Sequence, residues 1–308
     1  NKSSYFFGQS VFGQLISLID LSKINTIARK HMADHYIKKF DTSDHLISML
    51  FSTFAHCTSL REVAASMLGL KGKMNHFQLK HIPYKSTLSD ANKRRSHLVF
   101  QDVYYSLLKE YHPIISDSRQ TYAWENRLEI IDSSTISLFK DILSCVGRKS
   151  NNGKRKGWIK VHTQINLQGK VPKLVWFSAA TTHDKQFLKH IQLEKGKIAV
   201  FDKGYNDYKT FDEFTENGVF FVTRLKSNAA YESVKENDIP SYIDNGVIND
   251  EINHVDIKES GSYLKTIELR RVAYWDDENK RCFEFVTNLF GMNAGHIALI
   301  YKKRWQIE

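Results

Sequence analysis

Acidic residues are in short supply: 34 Asp and Glu stand against 44 Lys and Arg, leaving a formal net charge of +10 and a pI near 9.3. That surplus suits a polyanionic partner, nucleic acid first and an anionic membrane surface second. Cysteine is scarce as well. Cys57, Cys145 and Cys282 lie far apart and form no Cys-x-x-Cys pair, which favours free thiols in a reducing cytosol over a disulfide framework or a zinc ribbon. Long hydrophobic runs are missing, since the most apolar stretch, 46–55, is too short for a bilayer and is broken by Ser48, Ser52 and Thr53. There is no signal-peptide pattern, internal repeat, low-complexity tract or Walker-type loop, so neither secretion nor an ATP requirement is expected. No initiating Met is present either, and a trimmed N-terminus is expected.

What is present fits a folded chain of two domains with a smaller insert: 308 residues, 42% apolar and 12% aromatic. Residues 11–111 read as helical, with Phe12, Leu15, Ile16 and Ile19, then Leu46, Met49, Leu50 and Phe54, at helical spacing. Ser59-Leu60-Arg61-Glu62 is a capping-box pattern. His31 and His35, with Asp34 between them, fit either a metal pair or ordinary surface histidines, and no further ligand motif lies nearby. Lys71-Gly72-Lys73 opens a basic linker, and a long helix from Ser86-Thr87 carries Lys93-Arg94-Arg95. Such a cluster either meets DNA phosphates or forms a solvated helix face. Pro113 and the run Ser116-Asp117-Ser118-Arg119-Gln120 mark a boundary.

Beyond it the period changes. Leu128-Glu129-Ile130-Ile131 is a short strand ending at Asp132, Ile136 to Phe139 either prolong it or start a turn, and the basic stretch 147–157 is a loop. Residues 158–165 and 174–177 form a hairpin around Gly169. Ile198-Ala199-Val200-Phe201 is a strand buried on both faces that ends at Asp202. A helical stripe of Tyr208, Phe211 and Phe214 follows, then a strand at 219–222 and alternating β segments to about 288. A last helix begins near Asn293. At about 100° per residue it sets Tyr301, Arg304 and Glu308 on one stripe beside Trp305.

Phosphodiester cleavage by two divalent ions needs carboxylates at fixed positions, and strand ends plus a packed helix supply a rigid base for them. Asp132, Asp202 and Glu308 match in type and placement, although strand-end aspartates also serve as helix or turn caps. Arg304 has the planar fork that pairs bidentately with phosphate. Trp305 suits either base stacking or packing in the helix interface, and Asp184 suits either a helix cap or a metal ligand. Lys154, Arg155, Lys156 and Lys160 lie in or beside the basic loop, which suits DNA contact or plain solvation.

The motifs resemble those of DDE transposases of the IS-four insertion-sequence family. Tyr301, Arg304 and Glu308 occupy the first three positions of its Tyr-(2)-Arg-(3)-Glu-(6)-Lys signature, whose Lys falls beyond the chain end. Ile131-Asp132-Ser133-Ser134 resembles the first-aspartate motif, and Phe201-Asp202-Lys203-Gly204-Tyr205 the second; 157–162 and 181–184 are also similar. This resemblance implies an α/β, RNase H-like mixed-sheet catalytic domain with an antiparallel β insert, preceded by an all-α domain. The expected divisions are a helical DNA-binding domain at 1–118, the catalytic domain at 119–228, a β-rich insertion at 229–289 and a truncated catalytic helix at 290–308. It further implies Asp132, Asp202 and Glu308 as ligands of two Mg2+ (or Mn2+) ions. Tyr301 and Arg304 become contacts to DNA phosphates. The implied partners are double-stranded DNA at terminal inverted repeats and target sites, and a second copy of the chain in a homodimer. A bacterial, cytoplasmic, DNA-associated enzyme that cleaves element ends and transfers strands is the expectation. A nuclease that cuts without joining and an inactive DNA-binding derivative are the alternatives.

Overall fold

The computed structural model describes residues 10–115, 122–138, 148–149, 155–167, 169–227, 229–239, 246–259 and 261–305. Two compact units divide at Ile114 and Ile115, a few residues before the expected boundary. The first is helical: α1 (Val11–Ser17), α2 (Leu21–Lys30), α3 (Thr42–Phe54), α4 (Leu60–Leu68), α5 (Lys85–Arg94) and α6 (His97–Ile115). Short polar side chains start four of them by accepting an otherwise unpaired amide: Ser10 from Gly13, Asp20 from Ser22, Asp41 from Asp44 and Ser59 from Glu62. The capping box is displaced by one residue, because the Glu62 carboxylate reaches back to the amide and hydroxyl of Thr58, 2.7 and 2.9 Å away. Ile16, Ile47, Val63, Met67 and Leu88 form the centre of this unit.

The long helix expected to carry Lys93-Arg94-Arg95 is broken in the structure. Arg95 is extended (φ −79°, ψ 130°), separating α5 from α6. Its guanidinium turns inward, donating to Asp34 at 3.0 Å and to the Phe40 carbonyl at 2.6 Å, and the side chain is 2% exposed. A DNA contact by Arg95 is thereby corrected to a structural ion pair. Lys93 and Arg94 are exposed on α5. His31 pairs with Asp102 at 2.8 Å, while His35 lies against Tyr36. Among the described residues no group of three His, Cys, Asp or Glu is placed to hold a metal ion, and no helix is long and apolar enough to cross a membrane.

The second unit is mixed α/β. Its strands are β1 (Leu128–Leu138), β2 (Arg148–Lys149), β3 (Arg155–Asn166), β4 (Pro172–Ala179), β5 (Ile198–Phe201), β6 (Phe220–Arg224), β7 (Glu232–Glu236), β8 (Val247–Glu259), β9 (Ser262–Asp276) and β10 (Arg281–Thr287). They form one sheet in the order β2-β3-β1-β5-β6-β10-β9-β8-β7, with β4 on β3. Strands β1, β5 and β6 are parallel and central, and β5 is buried throughout. The segment expected as a β-rich insertion continues the same sheet, because β10 pairs with β6. Part of the expected basic loop is also ladder: Arg148 and Lys149 pair with Lys156 and Arg155.

Helices α7 (Lys185–Leu188) and α8 (Tyr208–Glu216) cover one face, where Phe187 and Phe211 pack with Ile131, Phe201 and Phe221. Helix α9 (Ala294–Trp305) covers the other, its Ile297, Ile300 and Tyr301 against Ile130, Val200, Val222 and Phe285. Strand β1 does not end at Asp132. Its parallel pairing with β5 stops at Ile131, but antiparallel pairing with β3 carries it on from Asp132–Thr163 to Leu138–Gly157.

Candidate active site

Strand register assembles the site. The last parallel pair of β1 and β5 is Ile131 with Phe201, so Asp132 and Asp202 each follow by one residue on neighbouring strands. On β5 and β6 the last pair is Val200 with Val222, and two further residues reach Asp202 and Arg224. Side chains alternate along a strand, so Asp132, Asp202 and Arg224 fall in a row on the face that α9 covers, continuing Ile130, Val200 and Val222.

Two guanidiniums and a phenol meet this row. Arg224 Nη2 and Nε donate to Asp202 Oδ1 at 2.5 and 3.1 Å, and the Tyr301 hydroxyl donates to the same oxygen at 3.2 Å. Arg304 Nη1 donates to Asp132 Oδ1 at 3.3 Å. Both cations approach the Tyr301 ring, Arg224 Cζ at 5.8 Å and Arg304 Cζ at 5.4 Å from its centroid. Burial pushes the Tyr301 phenol up to about 12, so it remains a donor. Burial also pushes the Asp202 carboxyl upward, but the Arg224 hydrogen bonds and charge outweigh it and hold the group below its ordinary value.

Tyr301 and Arg304, expected as DNA contacts, are here buried and turned onto the two carboxylates. Trp305 packs against Phe283 and edge-on against Tyr301, which is the interface role of its two alternatives. Asp184, expected as a helix cap, makes no capping bond; it pairs with Lys160 at 2.7 Å. Lys160 is opposite Thr135, so alternation turns it to the sheet face away from Asp132. Arg155 and Lys156 open β3, whereas Lys154 and Glu308 lie outside the described residues.

Below the row, the residues after Asp202 are tied to the sheet. The Tyr205 hydroxyl is 2.9 Å from His162 Nδ1, and His162 Nε2 is 3.0 Å from Ser178 Oγ. Burial lowers the His162 pKa and keeps the ring neutral inside this chain of polar groups. A Cβ on Gly204 would stand 3.0 Å from Asp184 Oδ2, a tight contact that the Asp184 carboxylate would have to shift to relieve. Sequence reasoning missed Arg224 and the His162–Tyr205 link. The signal for Arg224, an apolar strand closed by a charge, was visible; its partner was not.

A mixed α/β unit with two carboxylates side by side where the parallel pairing of β1 with β5 ends defines the class. The chain belongs to the transposase DDE domain family, which matches residues 124–308. A domain of unknown function, DUF4372, matches residues 7–80. A Sinorhizobium fredii protein named as transposase y4zB is 33% identical over 230 residues, 73% of this chain and 60% of the relative. One from Synechocystis, named for insertion sequence element IS4SA, is 27% identical over 72% of this chain and 59% of its own length. A third, from Geobacillus stearothermophilus and named for element IS5377, is 25% identical over 68% of this chain and 54% of its own length. The chain thus spans no more than about three fifths of these curated relatives. A solved piggyBac transposase synaptic complex with hairpin DNA aligns with 96% of this chain and 64% of its own, at 10% identity and a TM-score of 0.40.

Proposed function

We propose that this chain is the catalytic part of a DNA transposase of the IS-four kind, which cleaves the ends of its element and joins them to target DNA. The observation that carries this reading is the side-by-side placement of Asp132 and Asp202 on one sheet face, 26% and 33% exposed, within the family match. An antiparallel β1-β3-β4 group leading into parallel β1, β5 and β6 supports an RNase H-like core.

Hard carboxylate oxygens, partly open to solvent, fit Mg2+ or Mn2+. Asp132 and Asp202, with Glu308 as the third ligand, would hold two such ions. Bound there, the ions would polarise the scissile phosphate and acidify the attacking water. The chain's own residues supply orientation: α9 brings Tyr301 to Asp202 and Arg304 to Asp132, and the planar guanidiniums are suited to phosphate oxygens. Cleavage and joining are both in-line attacks on phosphorus, first by water and then by the freed 3′-hydroxyl, so one site serves both. The helical unit, with Lys93 and Arg94 exposed, is the companion DNA-binding element, and paired element ends call for a homodimer.

A labelled element-end duplex tests the proposal. Wild-type protein with Mg2+ should release free 3′ ends and then joined product. Asp202→Asn should abolish cleavage while leaving DNA binding largely intact. Undiminished cutting by that variant would overturn the carboxylate assignment, and free ends without joined product would leave the nuclease reading.

A further inference from the structure

We infer that Arg224 is a latch on the metal site, one that competes with a divalent ion for Asp202 and keeps the protein poorly loaded until DNA arrives. The inference rests on the reading of Asp132 and Asp202 as metal ligands and goes beyond it. A carboxylate offers about four lone-pair sites over two oxygens. Asp202 Oδ1 already receives three donors: Nη2 and Nε of Arg224 and the Tyr301 hydroxyl. That oxygen is fully engaged, so an ion must take Oδ2 or displace a donor. Asp132 Oδ1 receives Nη1 of Arg304 at 3.3 Å. Arg224 and Arg304 offset the charge of the two aspartates, so an entering dication meets two fixed cations beside them.

The two arginines are not equivalent. The Arg304 side chain is 6% exposed and held in the α9 interface, whereas that of Arg224 is 25% exposed at the open end of β6. Arg224 is therefore the one able to swing away. Its departure needs an anion to replace the carboxylate, and a DNA phosphodiester satisfies a planar guanidinium equally well. Substrate arrival then frees an Asp202 oxygen and adds negative charge, and both changes favour the ion. Metal and DNA affinities are coupled, and the coupling is reciprocal. Arg224 is a positioning residue here, acting through Asp202.

Mn2+ binding, read from the electron paramagnetic resonance signal of the free ion, tests this without any turnover. In protein alone, Arg224→Ala should bind Mn2+ roughly tenfold more tightly than wild type, the scale on which a charged partner perturbs a carboxylate. Arg224→Gln, which keeps a donor but loses the charge, should tighten binding less, and thermal melts establish that each variant is folded. For wild type, adding a duplex oligonucleotide should strengthen Mn2+ binding. Unchanged or weaker binding in folded Arg224 variants, or no response to duplex in wild type, overturns the latch while leaving the metal reading intact. Asp202→Ala in the Arg224→Ala background should abolish the gain. If tight binding survives that change, the ions sit elsewhere and the carboxylate reading falls too.

Discussion

His45 shows how one buried residue can make stability depend on pH. It is 1% exposed, and its Nε2 lies 2.7 Å from Asn92 Oδ1, an acceptor, so that nitrogen carries the proton. Nδ1 is enclosed without a hydrogen-bond partner among the described residues. Burial pulls the pKa down to about 4 against the opposing Asn92 hydrogen bond, and the nearby Arg95 charge adds to the fall. The unfolded chain, near pKa 6.5, therefore binds a proton between about pH 4 and 6.5 that the native state refuses. Stability rises with pH across that window, is complete above it and is lost as pH falls through it. Lowering the pH from 7 to 5 should remove about 2 kcal/mol through this residue. Urea denaturation at both pH values checks this: His45→Gln should show a shallower loss, and an equal loss would refute the account.

Helix α9 is the element on which the site depends, since it supplies Tyr301 and Arg304 from one stripe. Asn293 starts it, its side chain accepting from the Gly295 amide at 2.9 Å. Arg270 on β9 fixes the approach to it, donating to the carbonyls of Leu289, Phe290 and Met292 while bridging to Asp250 at 2.6 and 2.8 Å. Both members of this pair are nearly enclosed. Removing one charge from a buried pair strands the other, so Arg270→Ala should cost about 3–5 kcal/mol. Arg270→Met combined with Asp250→Leu should recover much of that loss, because two apolar side chains leave no charge to strand. Denaturant midpoints decide it: equal instability in the single and double variants would assign the loss to the freed carbonyls.

At the scale of the whole molecule, charge is unevenly divided. The helical unit, Asn1–Ile114, holds fifteen Lys and Arg against eight Asp and Glu, +7 of the chain's +10. Basic surface of that kind binds DNA by releasing counterions, with a log–log salt slope of about −0.9 per phosphate neutralised. Lys93→Ala with Arg94→Ala should therefore reduce the steepness by about 2. Arg95→Ala should leave the slope unaltered and lower the melting temperature, because its guanidinium is committed to Asp34 and Phe40. Anisotropy titrations over a range of salt separate the cases. An unchanged slope in the double variant would remove α5 from the DNA interface.

Sequence alone determined what local pattern can encode. The helical periodicity of 11–111, the Ser59 cap, the apolar strands before Asp132 and Asp202, and the start of α9 near Asn293 are all legible in a few adjacent residues. The two aspartates were legible as candidates, since a charge following an apolar run is a local feature, but their adjacency came from the pairing of β1 with β5. Other choices required the tertiary structure. Lys93, Arg94 and Arg95 read alike in a row, yet Arg95 is taken inward by Asp34, sixty-one positions earlier. Asp184 lost its capping role to Lys160, and β1 outran Asp132 because β3 continued to pair with it. Arg224 reached Asp202 only through the register of β5 with β6. The physical reason is common to all four. Caps and periodicity depend on neighbours along the chain, whereas a charge held in the fold, or the open edge of a strand, takes whichever partner packing brings within reach.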